Sequence, residues 1–270
     1  MTFKELKFLF LLQCKHQFLI VLEYGICNLS IVPIRSNNSH KSELISQLLY
    51  GDCFKLLAEE KDWIKIITLS DKYTGWIDKK QFVDIRKDIA EEISFKRNTY
   101  SNRLINYIET SENKLACLLL GSNVGACKYL GHKFDGPFQT KSNKKSDLLK
   151  TASLYLNSPY LWGGKTPIGI DCSGLTQMTY RINGHFIPRD ASLQSEIGET
   201  LSFIDESQAG DLAFFDDDEG KIIHVGILLE NNYVLHSHGK VRIDRIDQTG
   251  IYNLETKKHS HKLRIIKKIF

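Results

Sequence analysis

The sequence predicts an α+β protein in which a small β-barrel precedes a layer of helices followed by an antiparallel sheet, and three observations carry that prediction. Between Gly25 and about Ile85 the apolar residues fall in short runs broken by turn residues such as Gly51-Asp52 and Asp71-Lys72, a pattern that suits a small barrel. From Ser146 onward, helix-like stretches come first and strand-like stretches afterwards, the order of an α+β layer arrangement. A polar stretch, Ser142 to Lys145, separates the two patterns. The chain is 270 residues long with 42% apolar and 25% charged residues, enough for a full core and more than one domain.

The barrel strands read as Leu29 to Ile34, Leu48-Leu49, Cys53 to Leu57, Trp63 to Leu69 and Thr74 to Ile77. Their Trp-x-Lys-Ile run, a turn and then Gly-Trp-Ile resemble the bacterial SH3-like modules that accompany cell-wall enzymes. The reading assigns residues 25–86 to this module and 1–24 to an N-terminal extension outside the mature fold. Residues 87–145 are read as a degenerate second SH3-like module or a linker, because Leu104 to Ile108 and Leu115 to Leu120 look strand-like without an evident repeat. In residues 146–270, Ser146-Asp147 caps a helix running to Leu156, a second helix begins at Cys172 and a shorter one near Ala191. Strand signals follow at Asp211 to Phe215, Ile222 to Leu229 and Tyr233 to Ser237, then at Ile243 and Leu263 to Ile266.

Composition excludes several function classes. The net charge of +4 is mild, and the one basic cluster, from Lys257 to Lys268, reads as a solvated face, so nucleic acid is not an expected partner. The six cysteines are scattered, with neither a Cys-x-x-Cys nor a His-Glu-x-x-His; this argues against a zinc site, and no motif calls for an organic cofactor. Scattered cysteines suit a reducing compartment, so the expected localisation is cytoplasmic. Against it stands the N-terminus, where Lys4 and Lys7 precede Phe8 to Leu12 like the start of a leader and Cys14 follows Leu11-Leu12-Gln13. A periplasmic or envelope location is therefore the alternative, and no segment is long enough to form a stable membrane span.

The chemistry centres on Cys172, which follows Pro159-Tyr160-Leu161-Trp162-Gly163-Gly164 and Asp171 and opens a helix-like segment. A helix N-terminus favours thiolate over thiol. A cysteine nucleophile needs a base and a group that orients the base. His224, inside the apolar run Ile222 to Ile227, and His236, beyond the turn Glu230-Asn231-Asn232, would lie side by side on a hairpin. His238 competes with His236, because residues two apart on a strand share a face.

With these pieces in order, residues 146–240 resemble the NlpC/P60 family of papain-like cysteine peptidases that cut bacterial cell-wall peptides. The matching motifs are Pro159 to Gly164, Asp171-Cys172-Ser173-Gly174, Pro188-Arg189-Asp190-Ala191-Ser192-x-Gln194, Ala209-Gly210-Asp211-Leu212-x-Phe214-Phe215, and His224-Val225-Gly226-Ile227 with His236. The resemblance implies a papain-like fold, Cys172 as nucleophile, His224 as base, His236 as the orienting residue, and Tyr160 as a donor to the oxyanion. Relatives with an SH3-like module imply hydrolysis of the γ-D-Glu to diamino acid bond of peptidoglycan stem peptides, with diaminopimelate or lysine at the third position. The partners implied are peptidoglycan-derived peptides with a free N-terminal L-Ala. An exported autolysin acting on intact wall and a non-catalytic wall-binding protein are the alternatives.

The same resemblance places Asp171 at the substrate amine and Trp162, Ser173, Arg189, Asp190 and Ser192 along the D-Glu part, with Tyr73 of the module near the amine. Taken alone, Arg189-Asp190 also reads as an ion pair at a helix entry, Trp162 as a core aromatic and Ser192 as a cap. One departure stands out. Relatives offer a second acid from an early module loop, whereas Arg35 to His40 contains none before Glu43.

Overall fold

The computed structural model describes residues 23–96 and 99–270, so the leader-like N-terminal stretch with Cys14 lies outside the described residues. The N-terminal barrel is a seven-stranded antiparallel sheet. Strands Ile31–Arg35, Leu44–Leu49, Cys53–Glu60, Trp63–Thr68 and Thr74–Asp78 sit where the turn-punctuated runs predicted. Two short strands, Tyr24–Ile26 and Val83–Ile85, extend it beside Cys53–Glu60. Alternation explains the interior: Val32, Ile34, Ile64, Ile66 and Ile77 point inward at period two and pack with Leu48 and Phe54.

Residues 99–139 carry two antiparallel ladders, Ile105–Glu109 with Leu115–Leu119 and Tyr100–Ser101 with Phe138–Gln139. Their Ile108, Leu118, Val124 and Cys127 share one buried cluster with Ile26, Tyr50 and Ile85 of the barrel. The segment is thus packed onto the first module.

In the C-terminal half, helix Lys145–Ser153 starts one residue before the predicted cap, on an extended Lys144 with no side-chain cap bond. Instead of capping, Asp147 in the first turn accepts a hydrogen bond from Ser142 Oγ at 2.8 Å. The helix Cys172–Ile182 is central, with every residue buried. Leu175 and Met178 are three apart and Ile182 follows four later, one face of a 3.6-residue period, and Gly184 at φ +82° ends the run.

The second sheet has the strand order Glu199–Leu201, Lys258–Lys268, Leu212–Asp216, Ile222–Leu229, Tyr233–His238, Lys240–Ile246, Gly250–Asn253. Strand Lys258–Lys268 also pairs with Gly250–Asn253, which closes the sheet on itself. The basic cluster predicted as a solvated face is this closing strand, and Lys267 within it is buried, its Nζ 2.9 Å from Thr200 Oγ1. One face, with Val225, Ile227, Leu235 and Val241, packs on the Cys172 helix. The other encloses Ala213, Phe215, Leu228, Val234, Ile251 and Ile266.

The barrel docks against this half through buried polar contacts. Arg181 pairs with Asp52, Gln177 Nε2 donates to Asp71 Oδ2 at 2.7 Å, and the Lys165 N–H donates to Gln47 Oε1 at 2.8 Å. Gly163, at φ +76°, passes so close to the barrel that a Cβ there would lie 2.4 Å from the Leu44 carbonyl oxygen. Only glycine fits that approach.

Candidate active site

Asp171 sets the start of the Cys172 helix: it is the N-cap, accepting from Gly174 N at 2.6 Å through Oδ1, while Oδ2 accepts from Gly163 N at 2.8 Å. Arg189 completes the carboxylate's partners with NH1 at 3.0 Å and NH2 at 2.6 Å, and its NH1 also reaches Ser173 Oγ at 2.8 Å. This buried pair, 6% and 2% exposed, ties the cysteine's loop to the Pro188-Arg189-Asp190 turn. Asp171 and Arg189 therefore neutralise each other and have little free charge for a substrate.

The helix N-terminus favours the thiolate of Cys172, but burial acts against it. Burial, followed by the Asp171 charge, pushes the thiol up to about 12, against the lowering effect of the Val225 and Ser173 backbone N–H groups and of Arg189. Desolvation outweighs the dipole because the thiol is only 8% exposed. Cys172 thus rests protonated and needs a base.

The sheet supplies two histidines in direct contact. His224 Nε2 lies 2.9 Å from His236 Nδ1, so His236 and not His238 meets His224; the His238 ring centroid stands 6.4 Å from that of His224. Register explains the contact. His236 is opposite Gly226, and a Cβ at Gly226 would come within 2.5 Å of Val234 Cγ2 and 3.1 Å of His236 Cβ. The missing side chain leaves room for the two rings to meet diagonally. Burial holds His224 well below its ordinary value, helped by His236, His261 and His238; burial also lowers His236, against the raising effect of Asp244. Among the described residues no hydrogen bond joins Cys172 to His224: the thiol lies against the backbone of Val225, the next residue along the strand.

Tyr73, Tyr160, Trp162, Asp171, Cys172, Ser173, Arg189, Asp190 and Ser192 all line one cleft of about 460 Å³, joined by Glu43, Ile45, Ala191, Lys221, Ile222 and Ile223. Every substrate residue expected from the sequence is therefore on its wall, whereas His224 and His236 lie behind it. Trp162 is 60% exposed, so it is a rim aromatic and not a core one, and its Nε1 donates to Glu43 Oε1 at 2.7 Å. Tyr73 OH donates to Asp190 Oδ1 at 3.1 Å. Tyr160 is pushed up to about 12 by burial, then by Cys172 and Asp171; it stays protonated and available as a donor.

Two features escaped sequence reasoning. Asp244 is fully buried and accepts from His236 Nε2 at 3.0 Å and from Arg242 Nε at 2.6 Å; its only signal was a charged pair two positions apart in a strand-like run. The second is a histidine cluster, in which His224, His236 and His261 have ligand atoms within 4.8 Å of one another, a group that could by distance hold a metal ion. The His224 and His261 rings are stacked, 4.2 Å apart and inclined by 24°. In-plane lone pairs of stacked rings run side by side instead of converging on one ion, so the cluster suits proton transfer better than tetrahedral coordination.

Comparison with known proteins shows the family and the fold. A model described as the NlpC/P60 family matches residues 157–260, and one described as the bacterial dipeptidyl-peptidase Sh3 domain matches residues 34–82. A γ-D-glutamyl-L-lysine dipeptidyl-peptidase of Bacillus subtilis is 30% identical over 215 residues, covering 71% of each chain. Dipeptidyl-peptidase 6 of Lysinibacillus sphaericus is 28% identical, over 77% of this chain and 86% of its own. The crystal structure of an NlpC/P60 family protein from Bacillus cereus superposes with a TM-score of 0.73 over 91% of this chain and 99% of that one, at 18% identity. With its papain-like catalytic half, its SH3-like module and a cysteine at the mouth of the cleft between them, the chain belongs to the NlpC/P60 family of cysteine peptidases.

Proposed function

We propose that the protein hydrolyses the γ-D-Glu to diamino acid bond of peptidoglycan-derived peptides, acting on substrates whose N-terminal L-Ala amine is free. The observation that carries this reading is the composition of the cleft, in which Cys172 and Tyr160 of the catalytic half face Glu43 and Tyr73 of the barrel. A barrel standing across one end of a peptide groove limits how much substrate lies on that side of the nucleophile. The name of the Bacillus subtilis relative, a γ-D-glutamyl-L-lysine dipeptidyl-peptidase, supports the same length and bond, and that of dipeptidyl-peptidase 6 the same length.

The reaction is acyl transfer. His224 takes the Cys172 proton through Nδ1, since Nε2 is engaged by His236, and the thiolate adds to the γ-carbonyl carbon of D-Glu. The Tyr160 hydroxyl and the Cys172 backbone N–H donate to the oxyanion; removing one such donor costs about 100- to 1000-fold in rate. The His224 imidazolium then protonates the departing amine of the diamino acid. Water attacks the thioester with His224 again as base, releasing the dipeptide acid and restoring the thiol.

Glu43 and Asp190 are the carboxylates left for the ammonium, because both oxygens of Asp171 are occupied. The early acid missing from Arg35 to His40 is thereby replaced by Glu43, held at the rim by Trp162. The test is an assay of L-Ala-γ-D-Glu-L-Lys and its diaminopimelate analogue. Cleavage of either between the last two residues, abolished in Cys172→Ala and by N-acetylation of L-Ala, is the expected result. Equal cleavage of the acetylated peptide would remove the free-amine requirement.

A further inference from the structure

We infer that Asp244, held by Arg242, is a positioning residue that selects the proton arrangement of both histidines and so leaves Nδ1 of His224 unprotonated and able to act as a base. The inference rests on the assignment of His224 as the base. A carboxylate only accepts hydrogen bonds. Asp244 is the partner of His236 Nε2 at 3.0 Å, so Nε2 carries the single proton of a neutral His236, and its Nδ1 presents a lone pair. That lone pair lies 2.9 Å from His224 Nε2. Two lone pairs cannot bond, so His224 Nε2 carries its proton and Nδ1 is left bare. One buried carboxylate thus sets the tautomers of two rings in series.

The surroundings of Asp244 fix it as an acceptor. Arg242 donates through Nε to Oδ2 at 2.6 Å and through NH2 to Oδ1 at 3.0 Å, and the Leu254 N–H approaches Oδ1 at 3.4 Å. Burial by itself would raise this carboxyl, but hydrogen bonds from His236 and Arg242 hold it far below the usual carboxylate range. Arg242 is anchored in turn by Glu255 at 3.0 Å. The other titratable groups at the dyad are His238 and His261, and neither makes a hydrogen bond to His224 or His236 among the described residues. When His224 gains the thiol proton, its hydrogen bond to His236, itself held by the Asp244 carboxylate, stabilises the imidazolium as it forms.

The decisive substitution is Asp244→Asn. Arg242 donates to both carboxylate oxygens, but Oδ1 also faces the Leu254 N–H; the amide oxygen therefore takes the Oδ1 side, and the amide N–H turns toward His236 Nε2 and reverses both tautomers. In a serine-protease triad the corresponding change costs about 10⁴-fold in kcat through the wrong tautomer; acting through one more ring, the expected loss here is about 100-fold in kcat, with KM within about twofold. Alkylation of Cys172 by iodoacetamide at pH 7, followed by peptide mass spectrometry, should slow in parallel. That readout needs no substrate, so it separates failure of this inference from failure of the proposed peptide specificity. Unchanged alkylation and kcat in a folded Asp244→Asn protein would overturn it. If the variant does not fold, ¹⁵N spectra of the unaltered protein decide: both histidines must be protonated at Nε2, and finding either protonated at Nδ1 overturns the inference.

Discussion

Two buried polar systems flank the cleft and differ in kind. Arg181 with Asp52 joins the helix to the barrel, and Arg189 with Asp171 ties the cysteine's loop to the following turn while Arg189 Nε reaches Ser46 Oγ of the barrel at 3.2 Å. Both are buried ion pairs closed to water, although Arg181 Nε makes no hydrogen bond among the described residues. Along the sheet, His224 and His236 are neutral rings in series that reach a charge only at Asp244. The first system has no proton to give at neutral pH, and its role is to hold the two walls in one geometry. The second is held together by hydrogen bonds whose protons are able to move. A fixed cleft beside a mobile proton is what acyl transfer by a protonated thiol requires.

Breaking an ion pair should give the largest effect on stability. Asp52→Ala leaves Arg181 buried and unpaired, and an expected loss of about 3–5 kcal/mol is read from the urea midpoint. A loss below about 1 kcal/mol would mean that the pair does not hold the walls. The second effect belongs to the histidines. His224 and His236 sit below their ordinary value in the folded protein, and burial brings His261 down to about 4. Below about pH 6.5 the unfolded chain therefore binds more protons than the folded one, so stability is flat from pH 8 to about 6.5 and falls toward pH 4. Thermal unfolding across that range checks the sign, and a rise in stability on acidification would contradict it. The smallest effect lies at the rim. Glu43→Gln keeps an acceptor for Trp162 but loses the charge, and KM for the free-amine tripeptide should rise about two- to fivefold with kcat unchanged. An unchanged KM would transfer the amine to Asp190.

Much of the site was legible in the chain because its signals are local. Gly164 before Cys172, the helix start at Cys172 and the apolar run around His224 each express a short-range constraint: a close approach to the Gly169 carbonyl, a helix start, a half-buried strand. Strand Ile222–Leu229 falls within its predicted bounds for the same reason. What escaped depends on partners far away in sequence. The mutual saturation of Asp171 and Arg189 needs the turn after the Cys172 helix to fold back over its start. The buried Lys267 lies in a basic cluster that looks solvated until strand Lys258–Lys268 closes the sheet. The upward push on the thiol was not legible either, because a dipole is visible in a helix start whereas burial is a property of everything packed around it.

By itself the sequence determined on which elements the candidate residues stand, since hydrophobic periodicity and turn residues are local, within a few residues along the chain. Only the tertiary structure decided how they are charged and paired. It brought His236 into contact with His224 through strand register, placed Asp244 behind it, and set Glu43 across from Cys172 by docking the barrel. Desolvation and hydrogen-bond partnership arise from contacts between distant segments, and those contacts exist only once the chain has folded.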